Sequence, residues 1–247
     1  MLRRFPIFLV LLAVTAWPGI AQNKSLDAIM PGLSARIQSD WTGLTNIVCD
    51  ETMTWSGGIV ESEITAFRKI AIGYGIIESR QVKTINGDAI PKNRKPAEPF
   101  MSTGPVSAFA GVLPDNFTFK ANGVQFVDGN PSMIVDFELR PDVKEKMRVN
   151  TQGTMWIATT SLHVLRFERK SESSEGRTIF ETAEYGAIDI DGKPHLIPKT
   201  AKNEVSGRTG VVFSNDASYV AEYKNCRKSP RSPEQQIILP QQRFPQN

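Results

Sequence analysis

Two cysteines and two histidines are the residues of this chain best suited to chemistry, and they lie far apart: Cys49, His163, His195 and Cys226. A structural metal site draws its ligands from short repeated spacings, and none is present. A redox dithiol needs its thiols two residues apart, which also fails. Nucleophilic catalysis needs a base beside a nucleophile, and no G-x-S-x-G elbow accompanies either histidine. His163 reads as part of an apolar strand with Val164 and Leu165, and His195 follows Pro194 at a hairpin exit. Both read as structural or surface residues. The carboxylate pairs Asp189/Asp191 and Glu61/Glu63 alternate along strands and read as solvated faces. Gly73-Tyr74-Gly75 lacks the Lys-Ser/Thr that grips a nucleotide phosphate. Lys92-Asn93-Arg94-Lys95 reads as a solvated loop that could also meet an anionic headgroup. The chain is therefore expected not to be an enzyme, and to use neither a metal nor a cofactor.

The N-terminus says where the protein works. Arg3 and Arg4 precede an apolar run from Phe5 to Trp17, and Gly19-Ile20-Ala21 then offers small residues at a cleavage position. This is the three-part layout of a secretory signal peptide. The run of about 13 residues falls short of the roughly 20 a spanning helix needs. Residues 1–21 are expected to be removed, leaving an exported protein, periplasmic or extracellular. The charge balance of 29 basic against 26 acidic residues becomes 27 against 26 once Arg3 and Arg4 are gone. So neutral a domain carries no electrostatic footprint for nucleic acid.

Export gives the cysteines a meaning. An exported chain with two cysteines is read as having one disulfide, Cys49–Cys226. The alternative is two buried free thiols.

The elements come from periodicity. Leu26, Ile29, Met30, Leu33 and Ile37 recur at helical steps after the cap residue Ser25, with a clean start expected at Pro31. From Thr45 the period becomes two, placing Ile47, Cys49, Glu51, Met53 and Trp55 on one face. A proline-rich loop over 91–105 leads to a short amphipathic helix, Ser107–Leu113. Strand follows strand from Phe117 to Cys226, punctuated by turns such as Asp128-Gly129 and Asp191-Gly192. Residues 229–247 hold Pro230, Pro233, Pro240, Pro245 and five glutamines, and are expected to be disordered. The fold class expected is α+β, mostly β. One domain, 22–228, forms a strongly curved antiparallel sheet, a half-open barrel with helices over its concave face.

Several segments resemble a known family. Gly153-Thr154-Met155-Trp156-Ile157 with Leu162-His163-Val164-Leu165-Arg166-Phe167-Glu168 is similar to a recurring "G-x-x-W-I … L-R-x-E" hairpin. Asn46-Ile47-Val48-Cys49-Asp50-Glu51-Thr52 resembles an early "N-x-x-C-x-E-T" strand, and Tyr223-Lys224-Asn225-Cys226-Arg227-Lys228 a closing "Y-x-x-C-R-K". Together they resemble uncharacterised bacterial secreted proteins related to the LolA/LolB-like superfamily of lipoprotein-localisation carriers. Ala158-Thr159-Thr160 departs from the usual Asp-Pro-x turn of that hairpin. The resemblance implies a half-open barrel whose helices plug an apolar concavity.

The expected function is non-enzymatic binding in a hydrophobic cavity. Its partner would be an acyl chain, a lipid, another hydrophobic small molecule or a lipidated protein, with a peripheral envelope contact possible in principle. The cavity residues expected are Phe109, Val112 and Leu113 from the short helix, with Trp55, Met155 and Ile157 from the strands. The alternative is a protein-interaction or envelope-sensing module with a filled core.

Overall fold

The computed structural model describes residues 26–44, 47–55, 58–68, 76–89, 114–209, 213–214 and 217–229. The leader 1–21, the proline-rich loop 91–105, the helix Ser107–Leu113 and the tail beyond Ser229 lie outside the described residues.

Helix α1 runs from Leu26 to Leu44 with Pro31 inside it, so it follows the helical spacing from Leu26 rather than the later clean start at Pro31. Proline at that place removes one N–H and crowds the carbonyl four residues earlier. Packing explains why the helix continues through it: Ile29, Leu33, Ile37 and Leu44 are buried, on the stripe that three- and four-residue spacing dictates.

Twelve strands follow among the described residues. They are β1 (Ile47–Trp55), β2 (Gly58–Arg68), β3 (Ile76–Ile85), β4 (Asp88–Ala89), β5 (Phe117–Val127), β6 (Asn130–Leu139), β7 (Val149–Ala158), β8 (Val164–Ser173), β9 (Arg177–Ile190), β10 (Lys193–Thr209), β11 (Phe213–Ser214) and β12 (Ala217–Lys228). Their order in one antiparallel sheet is β4-β3-β2-β1-β12-β10-β9-β8-β7-β6-β5, with β11 paired to β10 off this path. The sheet is open, with edges at β4 and β5. The last strand lies beside the first. Hairpin turns at Asp128-Gly129 and Asp191-Gly192 put both residues of each pair at positive φ, which suits the twist of the flanking strands.

One helix escaped the sequence reading. Helix α2 (Pro141–Met147) links β6 to β7, with Pro141 in its first turn and Lys144 and Lys146 in its last, and it buries no residue. Without an apolar stripe it leaves no periodic signal.

Two packed layers hold the molecule together. The larger joins Leu33 and Ile37 of α1 to Phe117, Val135, Phe137, Met155, Ile157, Val164 and Phe167 of the sheet. Phe137 meets Phe117 edge-on and stacks on Phe167, both at 5.5 Å between ring centres. The smaller layer gathers Leu44, Ile47, Cys49, Ile190, Ile197, Ala221 and Tyr223.

Gly153 on β7 lies under the Phe137 ring. A Cβ there would overlap the Glu168 backbone oxygen and come within 2.5 Å of that ring. Gly153→Ala is expected to lower the unfolding free energy by about 1–3 kcal/mol, the range for overpacking a close-packed site. Urea unfolding checks it, with a lower midpoint and an unchanged slope.

Candidate functional site

The core-facing side of the sheet is set by alternation, and one cross-strand row on it breaks the apolar rule. Gly153, Arg169, Glu181, Asn203, Tyr219, Trp55 and Gly58 stand opposite one another on β7, β8, β9, β10, β12, β1 and β2. Glu181 and Asn203 are each only 3% exposed. Arg169 donates through Nε to Glu181 Oε2 at 2.5 Å, and its Nη2 pairs with the same oxygen. Asn203 Nδ2 donates to Glu181 Oε1 at 3.3 Å. Both carboxylate oxygens are thus engaged, as a buried carboxylate requires.

This row borders two environments. On one side lie Phe167, Ala183 and Ala201, in or against the packed layer beneath α1. On the other side Ile179 and Val205 are half-buried, and within the row so are Trp55 and Tyr219. Among the described residues these four apolar or aromatic side chains belong to neither packed layer.

The expected site residues separate accordingly. Met155 and Ile157 come together in the layer under α1, 2% and 0% exposed. Trp55 stands in the polar row, away from them. Phe109, Val112 and Leu113 lie outside the described residues. The sequence reading did not single out Arg169, Glu181 or Asn203. Their signal was parity: each sits two residues from an inward apolar residue, namely Phe167, Ala183 and Ala201.

The histidines hold α1 in place. His163 lies in the turn before β8, not within the strand, because Leu162 adopts φ 59° and its N–H bonds the Ala158 carbonyl. Arg36 Nη2 donates to His163 Nε2 at 2.9 Å, and His163 Nδ1 lies 2.8 Å from Asp40 Oδ2. A guanidinium only donates, so Nε2 accepts and Nδ1 carries the proton shared with Asp40. His195 Nδ1 lies 3.1 Å from the Gly43 carbonyl near the end of α1. Among the described residues no group of three His, Cys, Asp or Glu side chains could hold a metal ion.

Cys49 and Cys226 form a disulfide between β1 and β12. On the opposite face of β1, Asp50 accepts from Asn225 Nδ2 at 3.0 Å and from Lys83 Nζ at 3.3 Å. The Asn225 hydrogen bond, then Lys83 and Arg227, hold its carboxyl below the ordinary aspartate range, against a desolvation effect that raises it. A depressed carboxyl stabilises the fold above its unfolded pKa and loses that contribution as pH falls through the folded one.

A trough of about 650 Å³ crosses β5 to β9, lined mostly by residues that alternate away from the core, with Phe119, Phe137, Gly153 and Arg169 also among its lining. Its walls carry Lys120, Asp136, Glu138, Glu168 and Lys170, with Phe180 at one end. Trp55, Met155 and Ile157 do not line it.

The architecture is an open antiparallel sheet with a helix against one face and a bridge from first strand to last, and such a fold by itself fixes no function. No protein-family model matches the sequence, and no curated protein matches it. Solved structures do. An outer membrane lipoprotein-sorting protein domain from Vibrio parahaemolyticus matches with a TM-score of 0.50 at 9% identity, over 81% of this chain and 92% of that one. A DUF1329 family protein from Desulfovibrio piger gives 0.41 at 13%, over 81% and 92%. A LolA superfamily protein from Nitrosomonas europaea gives 0.34 at 10%, over 81% and 96%. The first of these shows the fold: the chain is built like that lipoprotein-sorting protein domain.

Proposed function

We propose that this chain is an exported, non-enzymatic binding protein that takes an acyl chain, free or attached to a protein, against the core-facing side of its sheet. The observation that carries this reading is the half-buried pair Ile179 and Val205 on that side, beside the half-buried aromatics Trp55 and Tyr219. A concave form of the sheet fits the reading. Helix α1 touches β10, β2 and β5, although β2 and β5 stand eight positions apart in the sheet order. Lys199 of β10 also reaches Asp128 in the β5–β6 turn at 2.7 Å, four strands away. Neighbouring strands are about 4.8 Å apart, so a flat sheet would put roughly 19 Å between those two strands. Phe109, Val112 and Leu113 are proposed to complete the lining. Export is supported by the disulfide, which persists in oxidising compartments.

A second reading has its own observation. Met155 and Ile157 are sealed into close packing beneath α1, as a filled core requires. On that reading the protein is an interaction or sensing module of the envelope.

Native mass spectrometry of the exported protein, with lipid extraction, separates the two. An acyl-bearing molecule carried through purification supports the binding protein. Empty protein with a stable protein partner supports the module. Trp55→Asp is expected to weaken binding of a fluorescent acyl probe at least tenfold while the melting temperature moves by less than about 4 °C, since roughly 1 kcal/mol shifts a domain of this size by 2–4 °C.

A further inference from the structure

The core-facing ion pair is a poor device for stability. Taking a carboxylate and a guanidinium out of water costs several kcal/mol per ion, and apolar residues of like volume often serve at least as well. Yet the Arg169 and Glu181 side chains are only 14% and 4% exposed, on the face that otherwise builds the core. They stand where that face passes from the packed Phe167 and Ala183 to the half-buried Ile179 and Val205. Arg169 bonds Glu181 through Nε and Nη2. Its third nitrogen, Nη1, makes no bond in this row, while Glu181 has one oxygen on Arg169 and the other on Asn203.

We propose that Arg169 is a specificity-determining anchor for the ligand's polar end, and that it selects an uncharged carbonyl: the ester or amide that joins an acyl chain to its carrier. This rests on the acyl-binding reading above. The chemistry follows from charge. Glu181 already cancels the guanidinium at contact distance, so a carboxylate or phosphate arriving at Arg169 also meets the Glu181 carboxylate in a low-dielectric setting. A carbonyl oxygen accepts the Nη1 proton and brings no charge. The neighbouring Ile179 and Val205 then offer apolar surface to the chain, with Trp55 four strands along the same row.

The test uses three probes of equal chain length: pyrene-labelled hexadecane, pyrene-hexadecanoic acid and its methyl ester. Wild-type protein is expected to bind the ester roughly tenfold tighter than the alkane, the worth of one hydrogen bond to a charged donor, and tighter than the acid. Partitioning alone gives the opposite order of ester and alkane. Arg169→Met/Glu181→Met removes both charges together, so neither is left buried alone. In it the alkane is expected to bind at least as well as the ester. Arg169→Lys keeps the charge without the fork and is expected to lose the ester preference too. Wild type binding the alkane as tightly as the ester, or the acid more tightly, overturns the proposal, and this holds whether or not the double variant folds. An ester preference that persists in a folded double variant overturns it as well. Wild type binding none of the three probes overturns the acyl-binding reading itself.

Discussion

Replacing Cys49 and Cys226 together by serine is expected to lower the unfolding free energy by about 3–5 kcal/mol. The bridge spans 177 residues of sequence, and the chain-entropy model gives about 5 kcal/mol for so long a loop. The folded state should change little. Strands β1 and β12 remain in register from Ile47↔Lys228 to Trp55↔Tyr219, with one irregularity between Val48 and Asp50, where Cys49 sits. The effect falls on the unfolded chain, which loses its closed loop. Guanidinium unfolding of wild type with and without reductant, beside the double-serine variant, provides the measurement. Reduced wild type and the variant should coincide, and reductant should leave the variant unchanged. A melting temperature lower by roughly 10 °C is the matching thermal result. A difference under about 1 kcal/mol would mean that the bridge contributes nothing to stability.

Phe167→Ala is expected to cost about 3–5 kcal/mol, the range for truncating a close-packed aromatic. Phe167 is 1% exposed and stacks on Phe137 at an interplanar angle of 16°. It stands opposite Met155 on β7 and Ala183 on β9, both fully buried. Its neighbours are themselves held in the packed layer, so much of its volume is expected to become a cavity. Phe126, 70% exposed on β5, is the internal control. Phe126→Ala should change stability by less than about 0.5 kcal/mol. Urea unfolding of the two variants gives the contrast. Equal losses would mean that the packing around Phe167 is not what holds the sheet.

Periodicity made most of this sheet readable. The alternation Ile47, Cys49, Met53 became the buried side of β1, and Asp191-Gly192 became the β9–β10 turn. The expectation of export made the disulfide readable. Helix α2 stayed hidden because it buries nothing. The start of α1 was legible in the helical spacing from Leu26, while Pro31 argued locally for a later one, and the burial of Ile29 decides the matter. The row Arg169–Glu181–Asn203 was hidden for another reason. Each residue alone reads as an ordinary charged or polar position on a strand. Only the register of β8, β9 and β10 sets them side by side, and register is a property of the pairing rather than of any one strand.

The placement of β12 gives the chain an assembly rule. Among the described residues, the four strands of the N-terminal part, β4-β3-β2-β1, pair with the block from β10 to β5 only across β12. A polypeptide is delivered from its N-terminus, so β1 waits for a neighbour that comes last. Until it arrives there are two part-sheets, each with an unpaired edge facing the slot. Such edges invite strangers, and pairings this distant in sequence form slowly. A chain cut short before Ala217 is thus not a smaller version of the protein. It is two half-sheets lacking their keystone, so synthesis through β12 is expected to be a condition of folding.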